Sequence, residues 1–133
     1  MRAVVQRVSS ASVTVDGEVI GRIGRGFLVL LAAGQRDTDA DLDYVVRKLP
    51  SLRVFEDADG RMNLTLEEVS GSLLVVSQFT LFGDCRKGRR PSFADAMAPE
   101  AARAMVDRAV AAWRAAGLTV ETGRFGAMMQ VSL

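Results

Sequence analysis

Ser72–Leu81, with the sequence SLLVVSQFTL, begins as a continuous apolar run and ends in polar residues. The apolar part, Leu73–Val76, is too short for a helix and half of it is β-branched, so it predicts a strand buried on both faces. Three of the next four residues, Ser77–Thr80, carry side chains that form hydrogen bonds, and Gly83 predicts a turn soon after them. Polar groups at the end of a rigid strand are well placed for a functional site, although a merely solvated strand end has the same pattern.

The composition around this stretch is that of an ordinary soluble domain. The chain has 133 residues, 49% of them hydrophobic and 25% charged, which predicts one domain spanning residues 1–133 with one core. The net charge of +1 gives no overall field that would attract a nucleic acid or a membrane. No apolar run approaches the roughly 20 residues that cross a bilayer, and the first ten residues lack the apolar region of a signal peptide. We therefore expect a cytoplasmic protein with no membrane partner.

The lack of histidine and the presence of a single cysteine limit the catalytic mechanisms and metal sites that this chain could have. The chain has no histidine, which excludes Ser-His-Asp and Cys-His machinery and leaves no imidazole as a general base. Cys85 is the only cysteine, so an internal disulfide, a cysteine-rich zinc site and a CxxC redox pair are excluded, and we predict no metal. An enzyme with this composition would have to rely on hydroxyls, amides, carboxylates, backbone N–H groups or the substrate itself.

The first third of the chain predicts β-structure. Alternating and continuous apolar patterns indicate four strands, at Ala3–Val8, Ser12–Val15, Glu18–Ile23 and Phe27–Ala33. Asp16-Gly17 is the residue pair that a tight hairpin turn prefers. Arg7 interrupts the first strand and is more typical of a surface residue than of a functional one.

Two helices are predicted in the remainder. Leu42, Val45, Val46 and Leu49 share one helical face, and Pro50 ends that helix. A longer helix, Glu100–Ala116, follows Pro99 and is closed by Gly117. Between and after the helices we predict a short extended segment at Ser51–Phe55, strands at Leu118–Glu121 and Ala127–Leu133, a turn at Asp57–Gly60, and a loop with a brief helical turn at Asn63–Ser70. The result is a mixed α/β domain.

A basic loop follows the polar strand end. Gly83–Phe93, GDCRKGRRPSF, has two glycines, a proline and four cations, namely Arg86, Lys87, Arg89 and Arg90. Such a loop is often only a solvated surface segment, but here the charge lies next to the predicted site and would suit a phosphate backbone.

Ser77–Leu81, SQFTL, resembles the signature motif of the D-aminoacyl-tRNA deacylases, proofreading enzymes that hydrolyse the ester joining a D-amino acid to tRNA. The similarity extends over essentially the whole chain, in register and in order. The other matching blocks are VVQRVSSASVTVDGEVIGRIG (4–24), FEDADGRMNL (55–64), RRPSF (89–93) and TGRFGAMMQVSL (122–133).

The resemblance implies a fold, an activity and partners. The fold is a single compact α/β domain with a mixed, largely antiparallel, barrel-like β-structure and two main helices. The activity needs no metal or cofactor, and the group recognised is the 3′-terminal aminoacyl-adenosine of tRNA. The protein would be a homodimer with active sites at the interface, and hydrolysis would rely on backbone groups and on the 2′-hydroxyl of the RNA.

Matching positions give the expected site residues. Ser77 and Gln78 are expected in the substrate pocket, and the backbone of Phe79 and Thr80 at the ester carbonyl or oxyanion. The Thr80 hydroxyl has no basic partner in the sequence, so it is the less favoured nucleophile. The expected substrate-binding residues are Arg7, Arg86, Lys87, Arg89 and Arg90, with Phe125 and Met129 around the terminal adenine, although the last two would also suit a core.

One departure and two alternatives accompany this interpretation. Family members continue past MQVSL into a Gly-Pro motif that rejects L-amino acids, and none of the three prolines here lies in that context. We therefore expect either a shortened chain, which is the favoured interpretation, or a natural variant that lacks this filter. A non-catalytic RNA-binding domain of the same fold is the main alternative. An esterase using Cys85 is less favoured, because no side-chain base would activate the thiol.

Overall fold

The computed structural model describes all residues from Met1 to Leu133. In chain order the elements are β1 Arg2–Val8, β2 Ala11–Val15, β3 Glu18–Ile23, β4 Gly26–Ala32, α1 Asp39–Lys48, β5 Phe55–Glu56, β6 Met62–Leu64, β7 Ser72–Ser77, a 3₁₀ helix Phe79–Phe82, α2 Pro99–Ala115, β8 Val120–Thr122 and β9 Gln130–Ser132. They form a four-stranded sheet in the order β1-β4-β7-β8, a three-stranded sheet in the order β3-β2-β9, and the hairpin β5-β6. Neither α-helix has the length and hydrophobicity that a membrane-spanning helix requires.

Strand β7 lies inside the larger sheet, as its apolar sequence predicts. It pairs in parallel with β4 on one side and with β8 on the other, whereas β1 pairs antiparallel with β4 at the edge. All four residues of Leu73–Val76 are at most 2% exposed. The predicted strand that is buried on both faces is confirmed.

The two faces of the larger sheet are covered by different layers. Leu73 and Val75 join the core with the helices, which includes Trp113. Leu74 and Val76 point to the other side and pack with β2 residues such as Val13. Because successive side chains of a strand alternate between faces, one continuous apolar strand supplies both cores.

Capping residues, a proline and a glycine determine where the two helices begin and end. Thr38 is the N-cap of α1, and its backbone N–H donates to the Asp41 carboxylate at 2.7 Å, which holds the pKa of Asp41 below its usual value. Pro99 opens α2, and Gly117 follows its end with φ +89°, a conformation that glycine adopts without strain. The helices are joined by the Trp113 indole N–H, which donates to the Val46 carbonyl at 3.0 Å.

The predicted α/β fold class with two main helices is confirmed, and four of the six strand pairs are antiparallel. The hairpin turn at Asp16-Gly17 is also confirmed, since both residues have positive φ. Three predicted segments differ from the structure in their bounds. The predicted loop 63–70 begins inside strand β6, the predicted strand 118–121 is β8 at Val120–Thr122, and the predicted strand 127–133 pairs only over Gln130–Ser132.

Candidate active site

The candidate site forms where three parallel strands end. Strands β4, β7 and β8 run in the same direction, so their carboxyl ends meet at one edge of the sheet. Open α/β sheets bind ligands outside this edge. The segments that leave it are the turn after Ser77 and the turn 123–129, which starts beside β7 because Gly123 N–H donates to the Val75 carbonyl at 3.0 Å. The topology therefore brings the SQFTL residues and Phe125–Met129 to the same edge.

The chain leaves the sheet at Gln78. Its backbone N–H still donates to the Leu31 carbonyl of β4 at 2.9 Å, but its ψ of 77° turns the next residues into the 3₁₀ helix. The Gln78 carbonyl then accepts from Leu81 N–H at 3.2 Å, and the Thr80 carbonyl accepts from Gly83 N–H at 2.9 Å. The polar residues thus lie in a tight turn fastened to the sheet, and not in the strand itself.

Two backbone donors at this turn are left without partners. The N–H groups of Phe79 and Thr80 come too early in the 3₁₀ helix to reach an acceptor within it. No capping side chain serves them, and neither donates to a turn, loop or cap acceptor. Both residues are exposed, so the turn that carries these donors lies at the protein surface. Paired N–H groups of this kind can stabilise the negative oxygen of a tetrahedral intermediate.

The Gln78 and Thr80 side chains interact with each other. The Gln78 amide N–H donates to the Thr80 hydroxyl oxygen. An amide donor cannot remove the hydroxyl proton, and no carboxylate or amine bonds to this hydroxyl. The geometry gives Thr80 no activating base.

Arg2 anchors the end of the turn and was missed in the sequence. Its guanidinium donates to the Leu81 carbonyl at 2.7 Å and lies 4.5 Å above the centre of the Phe82 ring. The Phe82 ring in turn packs against Gly34, where an added Cβ would come within 2.7 Å of the ring. Arg2 and Leu81 are 79 positions apart, so no local pattern signals the contact.

The basic loop is closed by a short neck. Asp84 N–H donates to the Ser92 carbonyl at 2.8 Å, and Ser92 N–H donates back to the Asp84 carbonyl at 2.9 Å. The Arg86 guanidinium donates to both carboxylate oxygens of Asp84, which lowers the pKa of that carboxyl to about 2 and raises the pKa of Arg86. The other three cations, Lys87, Arg89 and Arg90, are exposed and form no ion pair. They are the loop charges available to a ligand.

The remaining predicted residues fall in two places. Phe125 and Met129 are both half-buried and pack against the edges of the two cores, beside the turn. Arg7 lies opposite Phe27 on β1, four residues or about 13 Å along the strand from the end that adjoins the turn. Its guanidinium donates to the Val54 carbonyl at 2.7 Å and lies 3.6 Å from the Glu56 carboxylate. Within one chain the structure does not bring Arg7 to Ser77–Thr80.

Comparison with known proteins agrees with this architecture. A family model described as D-Tyr-tRNA(Tyr) deacylase matches residues 4–133. A D-aminoacyl-tRNA deacylase of Desulfitobacterium hafniense (strain DSM 10664 / DCB-2) is 59% identical over all of this chain and 89% of its own length. A D-aminoacyl-tRNA deacylase of Myxococcus xanthus (strain DK1622) is also 59% identical, over 87% of its length.

Two solved structures have the same fold. One, named c-Myc DNA Unwinding Element Binding Protein, superposes with a TM-score of 0.93 at 43% identity, covering all of this chain and 91% of the other. The second, described as a probable eukaryotic D-amino acid tRNA deacylase, gives a TM-score of 0.83 at 23% identity over 98% of this chain and 91% of the other. With the family match and the relatives, they lead to one conclusion. The chain belongs to the D-Tyr-tRNA(Tyr) deacylase family.

Proposed function

We propose that this protein hydrolyses the ester bond of D-aminoacyl-tRNA and releases a free D-amino acid and tRNA. The family and the names of its relatives support the reaction. The structural observation that carries the proposal is the pair of unpartnered N–H groups of Phe79 and Thr80 at an exposed turn. Such a device suits an enzyme without histidine, because backbone donors work without a titrating side chain.

In the proposed mechanism the backbone stabilises the developing charge. Water attacks the ester carbonyl, and the carbonyl oxygen becomes an oxyanion that accepts hydrogen bonds from the Phe79 and Thr80 N–H groups. One such donor is worth on the order of 3 kcal/mol in the transition state. The intermediate then collapses: its bond to the ribose 3′-oxygen breaks, and that oxygen takes up the proton that the water loses. Ser77 and Gln78 line the pocket, and the neighbouring 2′-hydroxyl of the terminal ribose assists proton transfer, as the family resemblance implies.

The rest of the tRNA would extend along the same edge of the sheet. The terminal adenine would contact Phe125 and Met129, which are half-buried in the turn 123–129. The phosphates approach the free cations of the basic loop, Lys87, Arg89 and Arg90, while Arg86 holds the loop neck through Asp84.

We also propose that two copies of the chain associate, with the active sites at their interface. The support is apolar side chains at the surface, since Val4 is 49% and Met128 91% exposed. Arg7, which is remote from the turn of its own chain, would contact substrate only in the partner's site. Light scattering at several protein concentrations measures the stoichiometry.

The direct test is deacylation of one tRNA charged with the D or the L form of the same amino acid. We expect the D ester to be hydrolysed well above its spontaneous rate by the protein alone, without added metal. Phe79→Pro, which lacks one of the two donors, is the variant to compare with the wild type. Absence of D-ester hydrolysis by a folded protein would refute the proposal.

Replacing Thr80 by valine separates backbone from side-chain chemistry. Valine keeps the shape and the backbone N–H but removes the hydroxyl, so we expect kcat to fall by about tenfold or less. Loss of a true covalent nucleophile costs orders of magnitude more, on the order of 10⁶ in a serine protease. Single-turnover kinetics of Thr80→Val measures the difference, and a loss greater than about 10³ would assign the hydroxyl a chemical role.

A non-catalytic nucleic-acid-binding protein is the second candidate. The basic loop favours it, and one solved relative is named a DNA Unwinding Element Binding Protein. The two candidates differ in turnover. A binder would lose affinity when Lys87, Arg89 and Arg90 are neutralised but would leave the D ester intact.

A further inference from the structure

Two aromatic rings form an exposed pair next to the candidate site. Phe79 is 54% exposed and Phe93 is 37% exposed, with ring centres 5.1 Å apart and planes inclined by 72°. Phenylalanine is usually buried, and the aromatic side chains of the core that packs with the helices, Phe27, Phe55 and Trp113, are at most 1% exposed. Two rings left open at a functional edge therefore need an explanation beyond packing.

The backbone holds this pair in place. Phe93 is the first residue after the loop neck formed by Asp84 and Ser92. Its ring lies against Gly83, where an added Cβ would approach the ring to 3.1 Å. The ring is therefore fixed between the neck and Phe79, and Phe79 directly precedes Thr80 in the turn.

The loop that this neck closes is positively charged. Lys87, Arg89 and Arg90 lie within the loop that the neck closes, and none of them has an ion-pair partner. Aromatic faces next to unpaired cations are the combination that single-stranded nucleic acids require, because bases stack on rings while phosphates pair with the charges. In a duplex the bases are already stacked on each other and cannot reach such a ring.

We propose that Phe79 and Phe93 form a stacking platform for an unpaired nucleobase of the RNA strand that leads to the terminal adenosine. This inference rests on the proposed function for the identity of the RNA. The base lies on the exposed ring surface, and the adjoining phosphates lie against Lys87, Arg89 and Arg90. The charge of the loop favours RNA over an apolar protein surface as the occupant of the rings.

The test uses uncharged RNA, so that binding is measured without hydrolysis. One labelled RNA hairpin carries a four-nucleotide unpaired 3′ end, and a matched hairpin is blunt. We expect Phe93→Leu to bind the first RNA about tenfold more weakly and to leave the affinity for the blunt RNA unchanged, because leucine keeps an apolar side chain but provides no ring. Phe93→Tyr, which keeps the ring, should bind as the wild type does.

Tyr44→Leu is the matched control. Tyr44 is 58% exposed on α1 and takes no part in the site, so removing its ring should change neither affinity. Equal affinity of Phe93→Leu and wild type for the unpaired end would overturn the platform. If that variant changed the oligomeric state and not the RNA affinity, the rings would belong to a protein interface.

Different results would refute the stacking platform and the proposed deacylase activity. D-ester turnover is measured on the same preparations with charged tRNA. Turnover together with an unaffected Phe93→Leu affinity refutes the platform alone. Ring-dependent binding of the unpaired end without turnover refutes the deacylase and keeps the platform.

Discussion

Replacing Phe79 by proline should lower kcat for D-ester hydrolysis by about 10²–10³-fold, because it deletes one of the two backbone donors proposed to hold the oxyanion. Proline has no N–H, so this substitution removes the group that no side-chain exchange can reach. No side chain and no turn, loop or cap acceptor pairs with that N–H, so we expect its loss to affect the reaction far more than the stability.

The local backbone is compatible with proline at this position. Phe79 is the first residue of the 3₁₀ helix, and proline is favoured where a helix begins. The residue before a proline must avoid the helical region, and Gln78, with φ −144° and ψ 77°, already does so. The circular dichroism spectrum of Phe79→Pro should therefore match that of the wild type, and its urea midpoint should match that of Phe79→Leu, which also lacks the ring that contacts Phe93.

Phe79→Leu is the matched control for this experiment. It keeps the N–H and removes only the ring, so we expect kcat within a few-fold of wild type and a higher KM through weaker stacking. If the leucine and proline variants lost kcat equally, the backbone donor would have no part in the reaction. Steady-state kinetics on D-aminoacyl-tRNA distinguishes the two results.

The elements that were predicted well from the sequence have either a strong hydrophobic pattern or a proline or glycine at their ends. Strand β7 was evident because four consecutive apolar residues need two buried faces, and Pro99 and Gly117 bound α2 through local stereochemistry. The hairpin β5-β6 was missed because its strands have only two and three residues, too few for a period to show. Its antiparallel register depends on tertiary packing and not on propensity.

The candidate site was predicted by motif resemblance more than by physical pattern. The chemistry of Ser77–Thr80 marked a polar strand end, but nothing in it showed that the strand becomes a 3₁₀ helix with two free donors. Arg2 and Phe93 reach the turn through contacts between distant parts of the chain, which no local window contains. Arg7 is the opposite case. It belongs to a block that matches the family, but it lies at the end of β1 that is remote from the turn.

Gly26→Ala should produce the largest loss of stability, because two backbones approach too closely there for any side chain. Gly26 begins β4 and pairs with Ser72 at the start of β7. A Cβ on Gly26 would lie 1.9 Å from the Ser72 carbonyl oxygen and 2.7 Å from its nitrogen. Backbone atoms cannot move aside as the end of a side chain can, so the central strand pair would have to separate locally.

We expect Gly26→Ala to lower the free energy of unfolding by about 3–5 kcal/mol, a large share of the roughly 5–15 kcal/mol that a domain possesses. Gly24→Ala, two residues away, is the control, because a Cβ there meets nothing within 4 Å and its φ is not positive. By restricting the unfolded chain it should be neutral or stabilise by about 0.5 kcal/mol. Urea unfolding of the two variants measures the difference, and a Gly26→Ala protein within about 1 kcal/mol of wild type would show that β4 and β7 do not meet as closely as described. Strand β7 begins at Ser72 and ends at Ser77. If β7 moved away from β4 to make room for the alanine side chain, the turn that follows Ser77 and holds Phe79 and Thr80 would therefore move as well.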